Sequence, residues 1–167
     1  GVYRLVAEMY DGTKREVTIY SFDADADIAH IRVVGSTLPY LGVTTEVEEG
    51  DTVYALGNPL GLGLAMSRGI VSATAHKADL STLPCIVSDA TISRGSSGGA
   101  LLNEYGRAVA VTTGAYVYGN NMYLCVPLDP ALEADLTGEG MTLQEVLDAV
   151  TAAREAAAEA AEADESR

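Results

Sequence analysis

The chain has 167 residues, 48% of them hydrophobic and 20% charged, with a formal net charge of −14. That is enough chain for one domain or for two small barrels sharing a core face. An acidic chain without a basic stripe is a poor partner for nucleic acid, whose phosphates need Lys and Arg to neutralise them. No apolar run approaches membrane-spanning length, and no signal peptide is visible.

From Tyr3 to Leu128, β-branched and Tyr-rich runs alternate with turn signals, which predicts an all-β region. The clearest hairpin is Tyr10-Asp11-Gly12-Thr13. Its Asp-Gly pair suits a type I′ turn between strands at Val2–Tyr10 and Thr13–Tyr20. The acidic run Asp23-Ala24-Asp25-Ala26-Asp27 comes next. It lacks the Gly turn and distal Glu of a calcium loop, so no metal is expected there, and Asp23 and Asp25 read as solvated turn residues. The segment Gly57-Asn58-Pro59-Leu60-Gly61-Leu62-Gly63 is glycine-rich. It has no Lys-Ser/Thr and opens no helix, which argues against a phosphate loop.

Ser93-Arg94-Gly95-Ser96-Ser97-Gly98-Gly99 sets a serine among glycines just ahead of the apolar Ala100-Leu101-Leu102. A Ser hydroxyl is a weak nucleophile that needs a base and a polarised carbonyl. Gly95 lets the backbone turn so that successive N–H groups converge on one point, as an oxyanion hole demands. Taken alone, the stretch also fits a plain Gly/Ser turn between strands. Val109–Thr112 and Tyr123–Val126 form a further strand pair, joined by a loop carrying Tyr116, Tyr118, Gly119, Asn120 and Asn121. The first of these strands could take a peptide backbone as an added strand.

The remainder changes character. Gly138-Glu139-Gly140 breaks the chain, and Thr142-Leu143-Gln144-Glu145 is a capping box. Leu143, Val146, Leu147 and Val150 then share one helical face. The Ala-rich stretch beyond favours helix by propensity but offers little apolar surface, so fraying into an acidic tail is expected. Residues 131–167 hold about ten acidic side chains against Arg154 and Arg167.

Five ordered segments resemble the HtrA/Deg-like branch of the chymotrypsin-fold serine proteases. They are Asp27-Ile28-Ala29-His30-Ile31, Gly50-Asp51-Thr52-Val53-Tyr54-Ala55-Leu56-Gly57-Asn58-Pro59, Ser67-Arg68-Gly69-Ile70-Val71-Ser72-Ala73, the Gly95-to-Leu102 stretch, and Asn103-to-Thr112 followed by Tyr123-Leu124-Cys125-Val126-Pro127. The resemblance covers roughly residues 3 to 130. It implies a double β-barrel whose first barrel lacks its opening strands, followed by a C-terminal α-helix. The division it suggests is a protease domain at 1–130 and an acidic helical tail at 131–167.

By the same resemblance Ser97 is the nucleophile and Asp27 the acid that orients an imidazole, the two facing each other across one cleft. The N–H groups of Gly95 and Ser97, with Ser96 nearby, would form the oxyanion hole. Thr91 and Ile92 on one side, and Val111, Thr112, Thr113 and Gly114 on the other, would line an uncharged pocket. A pocket for Lys or Arg needs a buried carboxylate, and Asp89 is not read as one, so an aliphatic residue is expected there. Polypeptides are the expected substrates, with no cofactor, and a homo-oligomer and an extracytoplasmic site are in keeping with the family. Arg94 stands where the family usually has Pro, and Ser96 where it usually has Asn.

The family's catalytic His lies some 30 to 40 residues before the Asp, and no His stands among the 26 residues ahead of Asp27. His30 lies three positions past Asp27 on the same strand, facing the other way and about 10 Å along it. His76 falls in what reads as a polar loop. Neither is expected to act as base. Truncation of a longer protease and a pseudoprotease serving as a peptide-binding module both fit, with truncation favoured. Cys85 and Cys125 both fall in predicted strands, as a disulfide or as two buried thiols.

Overall fold

The computed structural model describes residues 5–35, 37–78, 81–115 and 121–165. They form two units. One comprises residues up to 24, 29–37 and 135 onward, and the other residues 25–28 and 38–134.

In the first unit, β1 (Val6–Glu8), β2 (Lys14–Asp23) and β3 (Ile28–Val33) form a three-stranded sheet in that order, with Ile28 assigned to the second unit. β1 and β2 are antiparallel, with Val6 opposite Glu16 and Glu8 opposite Lys14. The hairpin is not type I′. Gly12 N–H donates to Met9 O at 2.9 Å and Met9 N–H to Thr13 O at 2.8 Å. Only Gly12 takes a positive φ, +78°, where a type I′ turn would need Asp11 there as well. Asp11 instead accepts the N–H and hydroxyl of Thr13 through Oδ1, and these bonds hold its carboxyl below the usual range.

The C-terminal segment belongs to this sheet. Ile19 and Met141 exchange both backbone hydrogen bonds, at 3.1 and 2.6 Å. The capping box forms as expected. Thr142 N–H and Oγ1 donate to Glu145 Oε2 at 2.7 and 2.8 Å, and Glu145 N–H donates back to Thr142 Oγ1 at 3.3 Å. The helix, α2 (Leu143–Glu165), runs on through the Ala-rich stretch rather than fraying after two or three turns. Alanine's intrinsic propensity suffices there without an apolar face.

The second unit is a closed antiparallel barrel. Its strands are β4 (Thr52–Gly57), β5 (Ala65–Ala78), β6 (Ser81–Ser88), β7 (Ala100–Asn103), β8 (Ala108–Ala115) and β9 (Tyr123–Pro127), in the order β4-β5-β6-β9-β8-β7 with β7 returning to β4. Closure leaves no long unpaired edge. In β4 the period of two is plain, with Val53 and Ala55 buried inside and Thr52, Tyr54 and Leu56 less so. Val53, Val71, Ile86, Leu101, Val109 and Cys125 fill the interior. Burying each of the larger aliphatic side chains contributes about 1.5–3 kcal/mol. In β9 three consecutive residues, Leu124, Cys125 and Val126, are buried, so both faces of this strand are covered. A short helix, α1 (Asp129–Glu133), follows.

Candidate active site

The sequence places Ser97 and Asp27 seventy residues apart, and the barrel unit brings both to Thr113. The Ser97 hydroxyl donates to the Thr113 carbonyl at 2.9 Å. The Thr113 hydroxyl donates to Asp27 Oδ2 in a short hydrogen bond. Asp27 stands just before β3 with φ +56°, a region Asp enters more readily than most residues. Its neighbours Ala26 and Ile28 are buried and fix the segment, while Asp27 itself is exposed. The flanking apolar residues take the interior positions, so the carboxylate has the outward one.

The 93–99 loop is bound to β8 on one side and to the end of β4 on the other. Gly98 N–H donates to Thr112 O at 2.8 Å and Thr112 N–H to Gly99 O at 2.9 Å. The buried Thr112 hydroxyl donates to Ser96 O at 2.6 Å. On the β4 side the backbones nearly touch. A Cβ on Gly57 would stand 2.8 Å from Ser96 Cβ, and one on Gly95 would stand 2.7 Å from Asn58 O. Gly95 also carries φ +92°, so both space and conformation require glycine there.

The three expected oxyanion donors differ. Ser96 N–H donates to Ser93 O at 2.9 Å, which turns it away from any ligand. Among the described residues, the N–H groups of Gly95 and Ser97 donate to nothing. Two N–H groups on either side of one residue, both unengaged, are the arrangement an oxyanion needs.

The expected pocket is only partly assembled. Thr91 and Thr112 line one cavity of about 180 Å³ together with Ser93, Ser96 and Met66. Ile92 instead packs in the barrel core, and Val111 packs beside Leu102, Ala108 and Leu128 on the opposite face of β8 from Thr112. The period of two in β8 separates Val111 from Thr112. Thr113 and Gly114 do not line this cavity. Among the described residues no acidic or basic side chain lines it either. Asp89 is engaged elsewhere, its Oδ1 accepting Ile70 N–H of β5 at 2.7 Å. Sequence reasoning missed the walls from β4 and β5, Leu56, Gly57, Ala65 and Ser67 among them, because nothing local marks two strand ends as neighbours of a loop thirty residues away.

His76 is not in a loop but in β5, opposite Cys85. The strand continues past the expected turn because bulges between Val71 and Ala78 absorb its irregular register. His76 lies nine residues along β5 from Ser67, whose hydroxyl bonds Thr91 O beside the loop. His30 is a half-buried residue of β3, whereas Asp27 precedes that strand instead of sharing it, and His30 Nδ1 is buried without a hydrogen-bond partner among the described residues. Tyr116, Tyr118, Gly119 and Asn120 lie outside the described residues.

Cys85 and Cys125 are free thiols. Cys125 pairs with Ile86 and faces the barrel interior, whereas Cys85, one residue earlier, faces outward with Val87 and Leu124. Alternation along β6 thus puts the two sulfurs on opposite faces of the sheet. Burial pushes both thiols up, Cys125 to about 12.

Comparison with known proteins fits this geometry. Residues 2–111 match the family described as Trypsin-like peptidase domain. The chain is 37% identical over 122 residues to "Probable periplasmic serine endoprotease DegP-like" of Chlamydia pneumoniae, covering 70% of this chain and 24% of that protein. It is 34% identical over 116 residues to "Serine endoprotease DegS" of Haemophilus influenzae, covering 66% of this chain and 34% of that one. Among solved structures, "HtrA-type protease AlgW with decapeptide" aligns with a TM-score of 0.73 at 28% identity, over 80% of this chain and 43% of that chain. The serine endoprotease from Yersinia pestis aligns at 0.69 with 27% identity, over 78% of this chain and 46% of that one. The chain belongs to the trypsin-like peptidase family, in its HtrA-type branch. It spans about a quarter to a third of the length of these two curated relatives.

Proposed function

We propose that this chain carries the nucleophile, the orienting acid and the oxyanion donors of a serine endopeptidase. Ser97 Oγ attacks a peptide carbonyl, the N–H groups of Gly95 and Ser97 receive the developing oxyanion, and Asp27 orients the imidazole that takes the Ser97 proton. The observation that carries this reading is the Thr113 bridge, which gathers Ser97 and Asp27 beside two unengaged N–H donors. Beyond the last β7 partner, Val111, residues Gly114 and Ala115 pair with β9 alone, and this strand edge suits an extended peptide backbone. The substrate is a polypeptide with a modest aliphatic residue before the cut. By analogy with the periplasmic relative, the chain works outside the cytoplasm.

A base must come within hydrogen-bond reach of Ser97. We infer that neither His30 nor His76 fills that role and that the chain alone turns over peptides negligibly. One observation favours a second reading, a non-catalytic peptide-binding module. The Ser97 proton is directed at a carbonyl, not at a base.

Imidazole added to the purified chain separates the two. An acyl-valine p-nitrophenyl ester should release p-nitrophenol at a rate that rises with imidazole above the chain-free reaction, and Ser97→Ala should abolish that excess. No Ser97-dependent release at any imidazole concentration, with peptides still bound, would establish the binding module. Strong peptide turnover without imidazole, lost in Ser97→Ala, would show that a group of this chain is the base.

A further inference from the structure

The barrel has two ends, and the chemistry proposed above uses one. Ser97 and its partners gather where β4 ends at Gly57 and β8 reaches Thr113. A second cavity, of about 410 Å³, opens at the other end. It takes in Val109 of β8, four residues before Thr113 and so about 13 Å away along the strand. Ile86 and Val109 are core residues, and with Val47 packed against the core they form its floor.

Two features of the chain shape this cavity. β5 carries a bulge, because the step from Ala73 to His76 is matched by the shorter step from Val87 to Cys85 on β6. A bulge re-aims side chains. The consecutive Thr74 and Ala75 both line the cavity, where a regular strand would send one of them to the other face. Three of the chain's five prolines, Pro84, Pro127 and Pro130, line it as well. Proline has a fixed φ and no N–H, so these walls are rigid and offer no backbone donor.

The lining therefore has a defined chemistry. Asp129 is its one charged side chain among the described residues, where no hydrogen bond or ion pair engages that carboxylate. The Thr74 hydroxyl donates to Glu49 Oε1 at 3.3 Å, which leaves its lone pairs to face a ligand. A cavity of this size holds one small molecule. Apolar walls, hydroxyl acceptors and one unengaged carboxylate complement an apolar ring that carries an ammonium group, and they repel an anion.

We propose that this distal mouth of the barrel is a second ligand site, for a small arylalkylamine. Its ring lies on Ile86, Val109 and the prolines, and its ammonium group pairs with Asp129. The site is independent of the role assigned to Ser97.

Tryptamine, tryptophol and indole-3-acetate share one ring system and differ in charge. Titrated into the ¹⁵N-labelled chain, tryptamine should shift the Ala75, Ile86 and Val109 amides with a Kd of about 1 mM, ordinary for a ligand of this size. Tryptophol should bind about three- to fivefold more weakly, the effect of losing one solvent-exposed ion pair, and indole-3-acetate should shift nothing. Asp129→Asn should reduce tryptamine to the affinity of tryptophol. Ala75→Leu and Thr45→Leu fill the cavity from two separate segments and should abolish the shifts. Ser97→Ala should bind like the unmodified chain, which separates this site from the substrate cleft. Asp129 is exposed, so its replacement tests the proposal even where a leucine variant fails to fold. Tryptamine shifts that survive both leucine variants, an unchanged affinity in Asp129→Asn, loss of binding in Ser97→Ala, or equal binding of tryptophol or indole-3-acetate overturns the proposal. No shift of the three amides overturns it too. Movement of the same amides on raising the chain concentration, with no response to tryptamine, assigns the mouth to a second copy of the chain and equally overturns it.

Discussion

Ser97 gives its hydroxyl proton to the Thr113 carbonyl at 2.9 Å, and the Thr113 side chain in turn binds Asp27. One residue of β8 thereby sets the spacing of two groups that are remote in sequence. The two links differ in kind, since the first uses the backbone and survives any side-chain change, while the second needs a hydroxyl.

Thr113→Val removes only the second link. We expect it to lower imidazole-supported, Ser97-dependent ester acylation by roughly tenfold to a hundredfold, the usual effect of losing a group that orients a functional side chain. Thr113→Ser should restore most of the rate. Rate constants for the three chains at one imidazole concentration decide it, and an unimpaired Thr113→Val would remove Asp27 from the mechanism.

Thr112 offers a cleaner stability test because it is buried. Thr112→Val keeps the volume but loses the hydrogen bond to Ser96 O. Ser96 O keeps the Gly99 N–H at 2.9 Å, so the cost is that of one hydrogen bond, about 0.5–1.5 kcal/mol. Urea unfolding should show an earlier midpoint at unchanged slope. A variant as stable as the original chain would mean that the Ser96–Thr112 bond holds nothing in place.

Gly57→Ala should disturb the 93–99 loop from the other side. Its Cβ would stand 2.8 Å from Ser96 Cβ, well inside normal contact. Overpacking of this kind costs about 1–3 kcal/mol. Thermal unfolding of Gly57→Ala beside Gly138→Ala, where a Cβ meets nothing within 4 Å, separates crowding from the general effect of replacing glycine.

The two thiols should stay unreactive in the folded chain and form no disulfide under oxidising conditions, because they face opposite sides of the sheet. Ellman titration of the native and unfolded chain checks this. Cys125 also makes stability depend on pH. Its thiol ionises near 9.0 when unfolded and near 12 when folded. Below pH 9 both states keep the proton and stability is unaffected. From about pH 9 to 12 the unfolded state alone loses it, so stability falls by up to ~1.4 kcal/mol per pH unit. The part of this slope due to Cys125 should vanish in Cys125→Ala.

Asp89 should not select a basic residue at the cleavage site, since its carboxylate serves Ile70 N–H of β5. Peptide-library profiling of the imidazole-supported reaction should favour Val, Ala or Leu before the cut, unchanged in its freedom from Lys and Arg by Asp89→Asn. A clear preference for Lys or Arg would refute the aliphatic assignment.

Much of this was legible along the chain. Alternation in β4, the Thr142–Glu145 cap and the serine among glycines are local patterns, and local patterns report backbone conformation directly. They also carried the family resemblance, which named Ser97 and Asp27. What they could not hold was which strand ends meet. Only barrel closure puts Thr113 between Ser97 and Asp27, sets Gly57 against Ser96 and turns Ile92 into the core. The engagement of Ser96 N–H by Ser93 and the outward turn of Cys85 are likewise tertiary outcomes. Each depends on contacts between segments far apart in sequence, and a strand's own pattern gives its two faces without saying what lies against either.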